Sequence, residues 1–232
     1  MPECIGVFRA REAGEATAAA FERLGLKVAL APVIALVAKE TAPPDRAFAL
    51  VVGSSAPAFA FAGPWLARFA ATPLALVGAA TLRAAQARGL HGRAEVFLDA
   101  AALAQEVARL PAGETLYLTA RERKSLIEEA FAGAGRVVTP LETYEAQARA
   151  GWSEQEIAAL GACRTFVHYS RRSASLALAL ARAHGVFGLF AQADHVCLSE
   201  DVAAPLRAQG WRAIRVAAAP DERALEAALI KR

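Results

Sequence analysis

The chain has 232 residues, of which 56% are hydrophobic and 21% charged, and its net charge is +3. This composition excludes an intrinsically disordered chain and is typical of a soluble α/β protein, with enough length for one large or two small domains. The positive charge is small and is not gathered into a Lys/Arg block, so no nucleic-acid partner is expected.

No membrane partner is expected either. The longest uninterrupted apolar stretch, from Val28 to Ala38, is too short to span a bilayer and contains Pro32. The N-terminal sequence MPECIGVFRAR lacks the layout of a signal peptide, so we expect a cytoplasmic protein. The three cysteines, Cys4, Cys163 and Cys197, lie far apart in apolar runs, which predicts buried reduced thiols rather than a metal site or a disulfide framework.

In chain order, short apolar strands alternate with segments of helical period, which predicts parallel sheets covered by helices. The strand CIGVF (4–8) precedes a helix near Glu12 to Leu24 and then the run KVALAPVIALVA. Next come the strands ALVVGSS, LALVG and AEVFL, with helices over 57–70, up to Arg88 and up to Leu110. TLYLTA leads to a helix ending at Ala132, and the remaining strands are RVVTPLETYEAQAR, TFVHYS, HVCLS and AIRVA, of which the last three each precede a helix.

Two blocks of this pattern occur twice. LGLKVALAP matches GAGRVVTP, and LRAAQARGLHGRAEV matches LRAQGWRAIRV. The first match lies in a short βαβ block and the second in a longer block of three βα units. These blocks alternate along the chain in the order short, long, short, long. This order predicts a tandem duplication of one α/β domain.

The run from Lys27 to Ala38 indicates how the two copies are joined. Its twelve residues would extend about 40 Å at roughly 3.3 Å each, which exceeds a usual strand, so the surplus is expected to connect two domains. The segment after Pro140 is its natural antiparallel partner. We therefore predict a discontinuous domain, residues 1–37 plus 146–232, with a second domain, residues 38–145, inserted on a two-stranded hinge. On the residues alone, sequential pairing of the copies stays open, and either arrangement predicts two lobes and a cleft.

The predicted strands end in polar residues that are not acidic. In open parallel sheets, ligands bind beyond the carboxyl ends of the strands, where helix N-termini expose N–H groups. Hydroxyl and guanidinium groups there suit a polyanion, whereas the alternative for each Ser or Thr is an ordinary helix N-cap. The residues at these ends are Arg9, Ser54, Ser55, Thr81, Thr119, Arg121, Ser170, Arg171 and Ser199.

The chain lacks the common catalytic and cofactor-binding motifs, such as G-x-G-x-x-G, H-E-x-x-H and C-x-x-C, so no cofactor and no metal are expected. His168 and His195 lie in strands, where core or sheet-face positions are expected. Glu142 and Glu145 flank Tyr144 on the predicted hinge and are expected to be solvated. Tyr144 itself would either face the cleft or simply pack the hinge.

Taken in order, these segments resemble the uroporphyrinogen-III synthase family over nearly the whole chain. The resemblance depends on Arg9 within FRA, on Pro32, and on the segments VVGSSAPAF, LVGAATLRAAQARGL, LYLTARERKSLIEEAFAGAGRVVTPLETYEA, FVHYSRRSA, VCLSEDVAAPLRAQGW and VAAAPDERALEAAL. The chain departs from the family pattern at five positions: Phe8, Ala10, Ser54, Leu82 and Ala120. Of these, Ala120 replaces a common glycine and would hinder close approach of the backbone to a ligand.

The resemblance implies two Rossmann- or flavodoxin-like domains, the second inserted into the first, and a monomeric, cofactor-free lyase. Its small-molecule substrate would be hydroxymethylbilane, a linear tetrapyrrole with eight carboxylates, which is closed to uroporphyrinogen III with loss of water and inversion of ring D. By position, the resemblance implies that Tyr144 assists departure of the hydroxyl group. The implied substrate-binding residues are Arg9, Ser54, Ser55, Thr81, Arg121, Lys124, Ser170, Arg171 and Ser199.

Two other interpretations of the sequence remain. A two-lobed protein could bind a small anion without chemistry, because a fold does not dictate a function. An inactive homologue of the synthases is the other, and the departures at Ala120 and in FRA keep it open. Tyr144, together with the Ser/Thr strand ends in both lobes, favours the synthase, since a small-anion binder would not need such strand ends in both lobes.

Overall fold

The computed structural model describes residues 4–230, which divide into two compact units. Unit 1 comprises the residues up to Ala35 and those from Gln147 onward, and unit 2 comprises Leu36–Ala146. Unit 2 is therefore one continuous segment of the chain, whereas unit 1 is built from two segments.

Unit 1 contains a five-stranded parallel sheet in the order β11-β10-β9-β1-β2. With strands and helices numbered along the whole chain, its strands are β1 (Cys4–Val7), β2 (Lys27–Leu30), β9 (Thr165–His168), β10 (Asp194–Cys197) and β11 (Ile214–Val216). Its helices are α1 (Arg11–Arg23), α6 (Glu154–Gly161), α7 (Arg171–Ala183), α8 (Phe187–Gln192), α9 (Glu200–Arg207) and α10 (Glu222–Ile230).

Unit 2 is built around a six-stranded sheet in the order β3-β8-β7-β4-β5-β6. The strands are β3 (Ile34–Ala38), β4 (Leu50–Gly53), β5 (Leu74–Val77), β6 (Ala94–Phe97), β7 (Thr115–Ala120) and β8 (Val138–Ala148), and those from β4 to β8 pair in parallel. The helices are α2 (Ala56–Ala60), α3 (Ala79–Ala87), α4 (Ala100–Glu106) and α5 (Leu126–Gly133), with short 3₁₀ helices at Pro64–Phe69 and Val107–Arg109. The predicted α/β class with two mostly parallel sheets is confirmed.

The run from Lys27 to Ala38 forms two strands rather than one. β2 belongs to the sheet of unit 1 and β3 to that of unit 2, with a break at residues 31–33 around Pro32, which has no N–H to donate. The Lys39 N–H donates to the Thr143 carbonyl at 2.9 Å, and the Arg149 N–H donates to the Val33 carbonyl at 3.0 Å. Between these two hydrogen bonds the residue number increases on the β3 side and decreases on the β8 side, so the two strands run antiparallel.

The helices differ from the predictions at three places. The predicted helix over 57–70 is wrong in extent, because Gly63 and Pro64 divide it into α2 and a 3₁₀ helix. The helix predicted to reach Leu110 ends as α4 at Glu106 and continues as a 3₁₀ turn. Helices α6 and α8 were not predicted, although α6 begins with a capping box in which Ser153 accepts from the Glu156 N–H.

Glycine allows close packing at the carboxyl end of β4. Gly53 is the last residue of this fully buried strand, and a Cβ atom there would overlap the ring of Phe59 in α2. Phe59 is itself completely buried in the core of unit 2. The absence of a side chain at Gly53 therefore lets α2 pack directly against β4.

We expect Gly53→Ala to lower the free energy of unfolding by about 1–3 kcal/mol, because overpacking displaces Phe59. Urea unfolding would measure the change. Gly133→Ala in α5 is the matched control: its added Cβ meets no atom within 4 Å, so the substitution should cost nothing or stabilise the helix by up to about 1 kcal/mol. Equal stability of the two variants would contradict the packing argument.

Candidate functional site

In unit 2, the order of the strands gathers several of the predicted residues at one edge of the sheet. β4 lies between β5 and β7, and all three strands are parallel. Their carboxyl ends therefore lead, side by side, to Ser54 and Ser55, to α3 with Thr81, and to Arg121. Gly78 makes the turn from β5 into α3 at φ +79°, a left-handed conformation that glycine adopts without strain.

The hydroxyl groups at this edge are bonded in pairs. Ser54 Oγ lies 2.9 Å from the hydroxyl of Tyr117 on β7, and Ser55 Oγ lies 3.1 Å from the hydroxyl of Tyr144 on β8. Tyr144 is 9% exposed and stacks on Phe61, with ring centroids 5.9 Å apart. Ser55 precedes α2, but its side chain does not cap that helix. The pairing with Tyr144 sets it apart from an ordinary N-cap.

Thr81 lies in the first turn of α3 and is buried, with 3% of its surface exposed. Its N–H donates to the Gly78 carbonyl at 3.1 Å. Thr119, at the end of β7, is buried as well. At these two positions the polar groups of the strand ends therefore lie inside unit 2.

Charged side chains surround the loop that follows β7. Arg123 donates to Glu128 at 2.6 Å, to Glu142 at 3.2 Å and to the Ala120 carbonyl at 3.1 Å, and Lys39 donates to Glu142 at 2.6 Å. The hydrogen bond from Lys39, reinforced by Arg123, lowers the pKa of Glu142 below its ordinary value. The loop is thus fixed to strand β8 and to helix α5 by ionic contacts.

Glu142 and Glu145 were predicted to be solvated, but both are only partly exposed and both form ion pairs. Glu142 joins the ionic contacts around Arg123, and Glu145 accepts from Arg121 at 3.0 Å. The Arg121 N–H also donates to the carbonyl of Tyr144 at 3.0 Å. Arg121 therefore lies beside Tyr144, whereas Lys124 is exposed and has no hydrogen bond or ion pair to any residue within 4–230.

In unit 1, Arg9 follows β1 and lies next to the end of β9. Its guanidinium donates to Thr17 at 2.9 Å and to Glu222 at 2.9 Å, and its Cζ lies 4.1 Å from the ring centroid of Tyr169. Burial raises the pKa of the Tyr169 phenol. Arg9 is thus held against an aromatic face, with a carboxylate as its partner.

Ser170 and Ser199 are helix caps. Ser170 Oγ accepts from the Ser173 N–H at 3.1 Å at the start of α7, and Ser199 Oγ accepts from the Val202 N–H at 3.4 Å at the start of α9. Arg171, the first residue of α7, donates to Asp201 in the first turn of α9 at 3.1 Å. The parallel strands β9 and β10 bring these two helix N-termini together.

Sequence reasoning did not single out Tyr117, Tyr169 and Arg123 as neighbours of the site. Tyr117 lies inside a strand whose hydrophobic character conceals the hydroxyl group, and Arg123 resembles any surface arginine in the sequence. Of the positions that depart from the family pattern, Phe8 is buried in the core, where its ring stacks on His168 at 5.4 Å. Ala10 is the N-cap of α1, with no side chain that could cap it.

The described residues offer no cluster of three or more His, Cys, Asp or Glu side chains that could hold a metal ion. Cys163 and Cys197 are buried free thiols, as predicted, while Cys4 is partly exposed. Burial raises the pKa of Cys197 to about 12 and raises that of Cys163 as well. Between residues 4 and 230, no helix combines the length and apolar character needed to cross a membrane.

His168 and His195 form a buried pair, as their strand positions predicted. His195 Nε2 lies 2.9 Å from the Phe190 carbonyl, which can only accept, so this nitrogen carries a hydrogen. In the neutral ring, His195 Nδ1 then accepts from His168 Nε2 at 3.1 Å. Burial lowers the pKa of both imidazoles, and the neighbouring His195 lowers that of His168 further.

These features define a class: α/β proteins with two mostly parallel sheets, each with hydroxyl and guanidinium groups after the carboxyl ends of its strands. A family model described as uroporphyrinogen-III synthase HemD matches residues 15–227, and the chain belongs to this family of cyclising lyases in heme biosynthesis. The predicted family and enzyme class are confirmed.

A solved structure shows the same fold. Uroporphyrinogen-III synthetase from Helicobacter pylori 26695 is 18% identical, with a TM-score of 0.66 and full coverage of both chains. A mutant uroporphyrinogen III synthase from the thermophilic bacterium Thermus thermophilus is also 18% identical, with a TM-score of 0.48 over 99% of this chain and 100% of that one. Among curated proteins, none matches the chain significantly.

The histidine pair predicts how the stability of the protein depends on pH. Both native pKa values are lowered, so below about pH 6.5 the unfolded chain takes up protons that the native protein does not. The free energy of unfolding should therefore fall with decreasing pH, by up to about 1.4 kcal/mol per pH unit for each histidine. Urea unfolding between pH 5 and 7.5 would measure this slope.

The variant His168→Leu/His195→Leu should flatten this slope relative to the wild type. His91→Gln is the control, because His91 is exposed and lies outside the buried pair, and it should keep the wild-type slope. A double variant as sensitive to acid as the wild type would show that the pair is not the cause.

Proposed function

We propose that the protein converts hydroxymethylbilane to uroporphyrinogen III, with loss of water and inversion of ring D. The observation that carries the proposal is the family match over residues 15–227, supported by polar groups at the strand ends of both sheets. The proposal adds to family membership a particular substrate and a role for individual residues.

Binding of the substrate is assigned to the cationic and hydroxyl groups that follow the strands. Hydroxymethylbilane carries eight carboxylates, and guanidinium groups and helix N-termini are suited to hold them. The proposed binding groups in unit 1 are Arg9, Ser170, Arg171 and Ser199, and in unit 2 they are Ser54, Ser55, Thr81, Arg121 and Lys124. Arg121 and Arg171 support this role best, because their side chains are 60% and 64% exposed.

Buried or capping side chains contribute in a different way. Ser170 and Ser199 cap helices, so their part is to fix the helix N-termini whose N–H groups would face a carboxylate. Thr81 is buried in the first turn of α3. Arg9 would contact the substrate from a guanidinium already stacked on Tyr169. The binding set thus combines exposed cations with backbone donors at capped helix N-termini.

Tyr144 is proposed to assist departure of the substrate hydroxyl group. Its own hydroxyl lies 3.1 Å from Ser55 Oγ, and Ser55 can donate to it while the phenol O–H donates to the leaving oxygen. The carbon–oxygen bond breaks, and the resulting cation bonds to the substituted α-carbon of ring D, which gives a spiro-type intermediate. The original bridge bond to that carbon then breaks and re-forms at the other α-carbon, which inverts the ring. The proton released as ring D regains its aromaticity neutralises the hydroxide to water. Because the bilane loses hydroxide readily, the main task of the protein is to orient ring D for closure.

The purified protein, supplied with fresh hydroxymethylbilane and no added metal or cofactor, should form the type III isomer. The products are oxidised, and the type I and type III uroporphyrins are separated by chromatography. Without protein, the bilane closes to type I. Folded protein that yields only type I at the spontaneous rate would rule out the synthase activity and favour a binding protein.

Tyr144→Phe should lower kcat by about 10–100-fold. This loss lies at or below the lower end of the range for general acids, because the substrate loses hydroxide readily. Ser170→Ala should leave kcat within about threefold, since it removes a helix cap worth about 1 kcal/mol of stability. Tyr117→Phe is the matched control, a buried tyrosine whose hydroxyl is bonded to Ser54. Equal losses in the two tyrosine variants would contradict a special role for Tyr144.

A further inference from the structure

We infer that Asp201 is a specificity-determining residue, an internal carboxylate that occupies Arg171 until a carboxylate of the substrate replaces it. This inference rests on the proposed function and concerns the same site. Under this inference, substrate binding at Arg171 exchanges one carboxylate for another and does not fill an empty site.

The first observation is that the three arginines proposed to bind substrate are all paired with carboxylates of this chain. Arg171 contacts Asp201 at 3.1 Å, Arg121 contacts Glu145 at 3.0 Å, and Arg9 contacts Glu222 at 2.9 Å. The Asp201 side chain is 66% exposed and that of Glu222 is 68% exposed. A substrate carboxylate that approaches these arginines therefore meets a carboxylate that is already there.

The second observation is the geometry of the pairs. In all three, the guanidinium contacts the carboxylate through Nη1. Elsewhere in unit 1, Arg149 grips Glu156 through two hydrogen bonds at 2.7 and 3.1 Å, and Arg207 grips Glu200 through two, both at 3.1 Å. Two-point pairs hold structure more firmly, so the Arg171–Asp201 pair, which is joined through one nitrogen, is more easily exchanged.

The third consideration is the strength of such a contact. An exposed ion pair shifts an equilibrium by no more than about fivefold, because water screens both charges. A substrate carboxylate that meets the guanidinium through two parallel hydrogen bonds gains more than Asp201 loses. A neutral group gains less and leaves Asp201 in place. The exchange would therefore select ligands by the number of carboxylates that they carry.

Asp201 gives the sharpest test because it has a matched neighbour. Glu200 and Asp201 are adjacent in the first turn of α9, and both are exposed carboxylates near the same helix N-terminus. Asp201 pairs with Arg171 and Glu200 pairs with Arg207, so only one of them faces a proposed substrate contact. Removal of either charge changes the net charge and the helix dipole interaction in the same way.

The experiment compares Asp201→Asn with Glu200→Gln in two assays. One is the KM and kcat of type III isomer formation; the other is the Kd of uroporphyrin I, a stable octacarboxylate, followed by its fluorescence. We expect Asp201→Asn to lower both KM and Kd by about 2–5-fold with kcat unchanged, whereas Glu200→Gln changes neither by more than about 1.5-fold. In an Arg171→Gln background, Asp201→Asn should lose its effect.

Each outcome separates the exchange from the synthase activity. If the wild type forms type III but Asp201→Asn leaves KM and Kd unchanged or raises them, the exchange is wrong and the activity stands. An equal decrease of KM and Kd in both variants would attribute the effect to net charge and would also contradict the exchange of carboxylates. If the wild type forms no type III isomer, the proposed function fails, and the Kd of uroporphyrin I still decides whether Asp201 competes for Arg171.

Discussion

Parallel pairing of short buried strands is the constraint on which both units depend. Parallel strands end at the same edge of a sheet, so residues distant in the chain come together where neighbouring strands end. Arg9 meets Tyr169 because β1 lies beside β9, and Ser54 meets Tyr117 because β4 lies beside β7. The same edge also carries the N-termini of the helices that follow, with their unpaired N–H groups.

The two units use hydroxyl groups in different ways although their sequences repeat the same pattern. In unit 1, Ser170 and Ser199 satisfy the backbone donors of α7 and α9, so these hydroxyls are part of the helix ends. In unit 2, Ser54 and Ser55 are bonded to tyrosine hydroxyls from β7 and β8. A Ser at the end of a strand can thus build either a rigid anion-binding helix N-terminus or a hydroxyl pair able to donate toward a reacting oxygen.

The sequence was sufficient to predict the alternation of strands and helices, because hydrophobic period and strand length are local properties. It also allowed the prediction of buried histidines and thiols from their place in apolar strands. The partners of Ser54, Ser55 and Glu142 could not be predicted, because each hydrogen bond joins residues whose pairing depends on the order of strands in the sheet. Helix α6 could have been predicted from Ser153 and Glu156, whose spacing is that of a capping box.

The division of unit 1 into two segments has a consequence for how the protein is made on the ribosome. β1 and β2 emerge early, but β1 must wait for β9, as the pairing of Ile5 with Thr165 shows, whereas every strand of unit 2 from β4 to β8 lies in one uninterrupted segment. Domains generally fold as they are synthesised, and contacts distant in sequence form late. The nascent chain therefore carries β1 and β2 without their neighbour β9 until Thr165 has been synthesised, whereas all the strands of unit 2 have been made before that point.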